Sequence, residues 1–381
     1  MRITHVTLRY PPASGGVEEY VYNLVERLRA LNDDVTVETT ALRTHHPATL
    51  LASPLADPPY VHRHAVRTFR RFAYPLPRSL RSSLLTAHTK IIHAHGFWYA
   101  PADIAARIAQ RRQIPFVLNP YYVPRAKPLW TLYRTVVGKR TLSAADAVVV
   151  ISPQEEAALR ADGLRPRHVE LIPPGIDPDA FVPRHKNPFE KRGLAGKPIV
   201  FSAGRLARAK GLDLALRALP NIVREIPTVH LAIAGEDFGE QGSLKTLAET
   251  LGVSSAITWL GKLPREELLA AYQHATVFIS PSRYEAFGIA VLEAQAAGCP
   301  VVVANASSLP FLVSDGETGL LSRPEDPEHL AAAMLRLLKD RPFAERLAQN
   351  GRMRALRDFT WTQSLEKLRS LYTDLTHARS T

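Results

Sequence analysis

The chain has 381 residues, 46% apolar and 22% charged, with a formal net charge of +12 and one cysteine. That length exceeds a single ordinary core and suits two domains. No stretch approaches the roughly 20 apolar residues of a membrane-spanning helix, and the lone Cys299, in an apolar Ala-Ala-Gly-Cys-Pro-Val setting, excludes an internal disulfide and reads as a packed thiol.

In chain order, residues 3–8 predict an apolar strand. No basic block and apolar block precede it, so a cytoplasmic chain is expected. A glycine-containing turn at 11–16 leads into a helix over 17–31, with Val17, Val21, Leu24, Val25, Leu28 and Leu31 on one face. Strands follow at 35–39, 90–95, 115–118, 147–152 and 169–172, and helices at 101–109, 130–142 and 155–161. Residues 182–198 are rich in Pro, Gly, Lys and Arg without apolar periodicity and read as a linker. The alternation then restarts, with strands at 198–203, 229–234, 257–260, 277–280 and 300–304. Its helices fall at 212–225, 243–251, 266–274, 289–297, 330–339, 344–357 and 362–375. Strands alternating with helices imply parallel sheets covered on both faces, and a pair of them implies two doubly wound α/β domains with a ligand cleft between.

The positive excess is local. Residues 58–145 hold 15 Lys or Arg against one acid, Asp103. Such a field attracts polyanions. Within it, residues 62–81 mix six arginines with Phe69, Phe72, Tyr74 and Leu76, a pattern that suits an anionic membrane surface as well as a basic surface around a soluble acceptor. Nucleic acid is not the expected partner, because no recognition motif accompanies the charge.

The richest segment is 280–298. A strand ends at Ser280, a loop carries Glu285, and Gly288 opens a helix containing Glu293. In an open α/β sheet, ligands sit beyond the carboxyl ends of the strands. A helix N-terminus there offers unsatisfied N–H groups and about half a positive charge, which suits a phosphate. Phe287, Gly288 and Ile289 are the candidates to present those N–H groups. Glu293 falls about 12 Å further along the helix axis. Carboxylates at both ends suit a ligand with hydroxyls at both ends. In the second segment, 200–211, Arg205 and Lys210 straddle a loop at a strand end. Fixed cations there suit an anionic ligand.

In the first half, Gly15-Gly16 opens a helix without the G-x-G-x-x-G dinucleotide fingerprint. His93-Ala-His95-Gly96 ends a strand; two histidines could bind metal, but no third ligand is near in sequence. Asp177-Pro-Asp179 is formally a D-x-D metal motif, but it follows a Pro-Pro-Gly turn and reads as a cap, so no essential metal is expected.

Two glutamates eight apart, with Ala-Phe-Gly after the first, resemble the E-x7-E signature of glycosyltransferase family 4. The Gly204-Arg205 to Lys210-Gly211 element, the Gly15-Gly16 loop, the His-x-His-Gly element, Ile151-Ser-Pro-Gln-Glu, Gly235-Glu-Asp, Leu260-Gly-Lys-Leu and Thr360-Trp-Thr are similar to that family's elements too, from Gly15 to Trp361. The resemblance implies the GT-B fold, with two Rossmann-like, doubly wound parallel-sheet domains facing across a cleft. Residues 1–182 would form the acceptor-side domain, completed by a C-terminal helix at about 360–381. Residues 183–198 would be the linker and 199–359 the donor domain. It further implies retaining transfer of a hexosyl unit from a UDP- or GDP-sugar to a hydroxyl of a glycan or lipid-linked acceptor in envelope polysaccharide or glycolipid synthesis, with no cofactor beyond the nucleotide-diphosphate sugar itself.

Carried over residue by residue, the catalytic set is Glu285, Arg205, Lys210 and His95. The donor site adds Gly16, Gly235, Leu263, Phe287, Gly288, Ile289 and Glu293, and the acceptor side comprises Gly15, His95 and Tyr121. The chain departs from the family in the loop 118–124, where Tyr121 stands in place of a histidine. Two alternatives share the fold: a nucleotide-sugar 2-epimerase and a non-catalytic sugar-nucleotide binder.

Overall fold

In the computed structural model, residues 1–13, 15–45, 48–51, 56–69, 72–125, 127–182 and 185–379 are described. They fall into two compact units, Met1–Pro173 with Ser364–Thr381, and Pro174–Gln363. The first runs β1 (Arg2–Thr7), α1 (Gly16–Ala30), β2 (Asp34–Thr40), β3 (Leu42–His45), β4 (Ala48–Leu50), β5 (Val61–His64), β6 (Val66–Phe69), β7 (Phe72–Pro77), α2 (Leu80–Thr86), β8 (Ile91–His95), α3 (Ala100–Arg112), β9 (Phe116–Asn119), α4 (Pro128–Tyr133), α5 (Lys139–Ala144), β10 (Ala147–Val150), α6 (Pro153–Ala161) and β11 (Val169–Leu171). The second runs β12 (Ile199–Ala203), α7 (Leu212–Glu225), β13 (His230–Ala234), α8 (Gln241–Thr250), β14 (Ile257–Gly261), α9 (Arg265–His274), β15 (Val277–Ser280), α10 (Ile289–Ala296), β16 (Val301–Ala304), α11 (Leu309–Leu312), β17 (Leu320–Ser322), α12 (Pro327–Lys339) and α13 (Arg341–Asp358). The last helix, α14 (Trp361–Ala378), returns to the first unit.

Each unit is built on one parallel sheet. Strand order is β11-β10-β9-β8-β1-β2-β5 in the first and β14-β13-β12-β15-β16-β17 in the second. In both, the earliest strand sits mid-sheet and the order reverses beside it, between β1 and β8 and between β12 and β15. That reversal is where doubly wound sheets bind ligands. β1 is buried from Ile3 through Thr7, including Thr4 and His5, because helices cover both faces of a central parallel strand. Helix α1 buries Val21, Leu24, Val25 and Leu28, one stripe at helical spacing. Ser152 caps α6, its hydroxyl accepting the Glu155 N–H at 3.2 Å with Pro153 at the first helical position.

Three features differ from the sequence reading. Residues 61–64 form an edge strand whose Val-His-Arg-His carries too little apolar signal to announce it; its His64 packs inward on Glu38 at 2.5 Å. The expected helix over 130–142 is α4, a π-turn over Arg134–Gly138, and α5. The extra residue in the wide turn sets position 141 where position 140 would lie, so Tyr133 and Thr141 both donate to the buried Asp103 carboxylate. The stretch read as a linker contains Phe189 and Leu194, both buried within the second unit.

Candidate active site

In the second unit, β12 ends at Ala203 and a loop with a 3-10 turn over Arg208–Lys210 leads through Gly211 into α7. The neighbouring β15 ends at Ser280, and its loop leads through Gly288 into α10. These two loops touch. Gly211 has φ +63, and a Cβ there would fall 2.0 Å from the Pro281 carbonyl oxygen. The N–H groups of Arg283 and Tyr284 donate to the Ala209 carbonyl at 2.8 and 3.2 Å. The Arg283 guanidinium grips the Asp213 carboxylate with two bonds, 2.6 and 2.9 Å, and bonds Glu325 at 2.9 Å. Arg283 holds the Asp213 carboxyl below the usual carboxylate range.

This lacing brings Lys210 Nζ to 2.5 Å from Glu285 Oε2, both side chains mostly covered. Arg205 is exposed, its guanidinium 5.1 Å from the Phe238 ring. A recess between the strand ends is lined by Ser202, Gly204, Arg205, Lys210, Ser280 and Ser282, among others. Ser308 Oγ lies 2.7 and 2.9 Å from the carbonyl oxygens of Glu285 and Phe287. Those contacts steady the bend before Gly288, which has φ +106 and abuts Leu309 and Leu312. As in any helix, the first N–H groups of α10 have no partner within it.

Glu293 lies one turn into α10 and is 7% exposed. Its Oε1 accepts from Arg265 at the start of α9, and the buried Tyr272 hydroxyl also bonds it. Gly235 ends β13 beside Gly204, Leu263 lies half-buried between β14 and α9, Phe287 is buried and Ile289 is exposed.

In the first unit, the corresponding reversal places a histidine cluster. β1 and β8 run parallel with His5 opposite His93 and Thr7 opposite His95. His5 Nδ1 is 2.9 Å from His95 Nε2, and His95 Nδ1 is 3.1 Å from the Tyr121 hydroxyl. His93 Nε2 meets Asn119 Oδ1 at 2.6 Å and His93 Nδ1 meets the Tyr372 hydroxyl at 2.5 Å. Asn119 Nδ2 donates to the Val149 carbonyl, so its oxygen faces His93. His93 therefore carries its proton on Nε2 and accepts from Tyr372 on Nδ1. Burial lowers the proton affinity of all three rings, His93 to about 3. All three are neutral near pH 7. His5 is the third histidine that the sequence reading did not find near His93 and His95. The three offer ring nitrogens within 4.8 Å of one another. Both nitrogens of His93 and of His95 already have side-chain partners.

Tyr121 is held with φ +45. Its ring packs edge-on to Tyr20, one turn into α1. Glu155 fixes the loop, accepting the N–H groups of Tyr122 at 2.7 Å and Ile151 at 2.8 Å. Burial raises the Glu155 carboxyl to about 7 against those bonds. At the start of α1, Gly15 lies against Glu18, which pairs with Arg9 at 2.6 Å, whereas a Cβ on Gly16 would meet open space. Asp177 accepts the Asp179 N–H at 3.2 Å and caps a short turn.

Comparison with known proteins supplies the family. Residues 14–180 match the model described as Glycosyltransferase Family 4, and residues 184–354 match Glycosyl transferases group 1. A D-inositol 3-phosphate glycosyltransferase from Acidothermus cellulolyticus is 30% identical over 97% of this chain and 87% of its own. The chain belongs to glycosyltransferase family 4.

A GDP-mannose-dependent alpha-(1-6)-phosphatidylinositol monomannoside mannosyltransferase from Mycolicibacterium smegmatis is 28% identical over 98% of this chain and 99% of its own. The Anabaena protein HepE, solved in complex with UDP, superposes with a TM-score of 0.81 at 20% identity, covering 98% of this chain and 100% of that one. The fold is GT-B and the protein is a glycosyltransferase. Of the residues expected at the donor site, Glu285 and Lys210 meet directly and Arg205 lines the same recess, whereas Glu293 is engaged by α9. His95 and Tyr121 meet in the other unit. Arg265, Arg283, Tyr272, Glu155 and His5 were missed by the sequence reading. Only the Ser-Pro-Gln-Glu element pointed at one of them, Glu155.

Proposed function

We propose that the enzyme is a retaining hexosyltransferase whose donor is a UDP- or GDP-sugar. The observation that carries this reading is the contact of Lys210 with Glu285, with Arg205 beside it, where the strand order of the second unit reverses. The diphosphate would lie at the start of α10, with Arg205 and Lys210 taking up its charge as the glycosidic bond breaks. Glu285 would hold hydroxyls of the transferred sugar and steer the Lys210 ammonium. Glu293, backed by Arg265, would take the ribose hydroxyls. With no carboxylate assigned as nucleophile, retention would follow front-face displacement, in which the leaving diphosphate accepts the proton of the attacking hydroxyl and the protein contributes position and charge. Transfer without a metal fits this arrangement, since the two cations stand where a divalent ion would otherwise be needed and Asp177 caps a turn.

The acceptor is a hydroxyl of a glycan or lipid-linked molecule in envelope polysaccharide or glycolipid synthesis, met by Gly15, His95 and Tyr121. An anionic membrane surface at the inner face of the cell membrane is the partner proposed for the basic stretch 62–81. No described helix is long and apolar enough to cross a membrane. The printed donor and acceptor of one relative, GDP-mannose and phosphatidylinositol monomannoside, support both halves of the reading, whereas another relative is named for the water-soluble D-inositol 3-phosphate. Incubating the enzyme with UDP-, GDP- and ADP-sugars and an acceptor pool, with release of nucleoside diphosphate and the anomeric configuration read by NMR, tests it. Inverted product or undiminished release by Lys210→Ala rejects it.

A further inference from the structure

Beyond the ends of β12 and β13 the two chains stay zipped. The Leu206 N–H donates to the Glu236 carbonyl at 2.9 Å, and the Phe238 N–H donates to the Leu206 carbonyl at 3.0 Å. Leu206 pairs with Asp237 in parallel register, and its side chain is buried. Gly235 permits the approach, since a Cβ there would fall 1.8 Å from the Gly204 carbonyl oxygen. Asp237 Oδ1 then accepts the N–H groups of Gly239, Glu240 and Gln241 at 2.9, 3.0 and 3.0 Å, which closes the turn after Phe238. The backbone of Phe238 is thus fixed beside Arg205, while the residue is 49% exposed and adds little to the core.

The Phe238 ring meets the Arg205 guanidinium. The two lie 5.1 Å apart, inside the distance of about 6 Å at which an aromatic face attracts a cation. Arg205 is exposed and has no ion-pair partner among the described residues. It lines the recess with Lys210, Ser280 and Ser282. The two cations are therefore held by different means. Glu285 steers Lys210 with a carboxylate, which offsets part of its charge. Phe238 steers Arg205 with a neutral ring, which leaves the full charge and the outer N–H groups to a ligand. An unrestrained arginine side chain loses rotamer freedom on binding, and a preset conformation avoids that loss.

We propose that Phe238 is a positioning residue, whose ring holds the Arg205 guanidinium over the recess for an anionic diphosphate. This rests on the diphosphate placement given above, in which Arg205 acts; Phe238 acts through Arg205 and need touch no substrate atom.

Two measurements test it. In NMR spectra without any ligand, the Arg205 side-chain protons, assigned from an Arg205→Ala sample, should carry the upfield shift of a group over a ring face, and Phe238→Leu should remove it. Calorimetric titration with UDP and with GDP reads the consequence. Phe238→Leu should weaken the nucleotide that binds wild type by about fivefold, and Phe238→Tyr, which keeps the aromatic face, should bind like wild type. In an Arg205→Ala background Phe238→Leu should have no further effect, because a residue that acts through Arg205 is silent once Arg205 is gone. Urea unfolding should be unchanged in both Phe238 variants, since the side chain is exposed. A fivefold loss that persists in the Arg205→Ala background would overturn the proposal and put the ring on the nucleotide itself. So would wild-type affinity in Phe238→Leu beside weakened binding in Arg205→Ala, or an Arg205 signal indifferent to the ring. Failure of UDP and GDP alike to bind wild type would instead overturn the donor reading beneath it.

Discussion

Mild acid should loosen the first unit, and the size of the effect can be worked from its buried histidines. His93 is fully buried and its proton affinity is lowered to about 3, whereas in an unfolded chain it titrates near 6.5. Because the folded value is the lower one, its contribution to stability is whole above the unfolded value and is lost as pH falls below it. Between pH 7 and 5.5 the unfolded histidine takes up most of a proton and the folded one takes up none, which costs about 1.3 kcal/mol. His5 and His95 are pushed the same way, by burial and by their histidine neighbours, so each adds to the loss over that window.

Glu155 acts in the opposite sense. Its folded value, about 7, exceeds the unfolded 4.5, so the folded unit binds a proton that the unfolded chain refuses, returning about 1.5 kcal/mol. Over this window the Glu155 gain and the His93 loss nearly cancel, so the net acid loss is what His5 and His95 add. Hydrogen exchange of peptides from β1 and β8, across a urea series at the two pH values, reads the first unit separately from the second. Glu155→Gln should deepen the acid loss by about 1.5 kcal/mol and His93→Gln should reduce it by about 1.3. Identical pH slopes in wild type and both variants would refute the reasoning.

In the second unit, Lys210→Ala and Glu285→Gln should each lower kcat/KM by about a thousandfold while circular dichroism stays native, as the proposed placement of both where charge develops requires. Arg265→Ala leaves Glu293 held on α9 by Tyr272 alone and should raise the donor KM more than it lowers kcat; a change confined to kcat would remove Glu293 from the donor site. Gly288→Ala forces a side chain into a left-handed backbone against Leu309 and Leu312, 3.0–3.1 Å away, and should cost about 2 kcal/mol in urea unfolding. Arg283→Lys cannot reproduce the fork on Asp213, so donor kcat/KM should fall about tenfold although Arg283 lines no assigned site.

The alternation of short apolar runs with amphipathic helices made both sheets legible, because parallel strands buried on both faces read as continuous apolar blocks. The contact of Lys210 with Glu285 was legible for a related reason: each ends a loop at the carboxyl end of a recognisable strand, and those strands adjoin at the order reversal. What escaped depends on pairing between distant segments. His5 meets His93 and His95 only because β1 lies beside β8 in a register that spacing along the chain does not encode. Tyr74 looked like part of a basic aromatic surface, yet it turns inward onto Asp103 from α3. Phe189 and Leu194 sit singly in a Pro- and Lys-rich stretch, so no period announced that they pack. Glu293 was placed by its spacing from Glu285, which says nothing of Arg265 on the preceding helix.

Helix α14 belongs to the first unit although it is the last segment made. Ser364 Oγ donates to the Pro173 carbonyl at 2.7 Å, Arg369 reaches Asp33 at 3.1 Å, Arg379 reaches Asp146 at 2.7 Å, and Tyr372 supplies the proton that His93 accepts. On the ribosome, therefore, the amino-terminal unit lacks α14, with the pocket for Tyr372 unfilled, until the whole of the other unit has been synthesised. A nascent chain arrested before residue 364 would hold every segment of the carboxyl-side unit and an amino-terminal sheet still lacking its last helix, the reverse of the order in which the two units were begun.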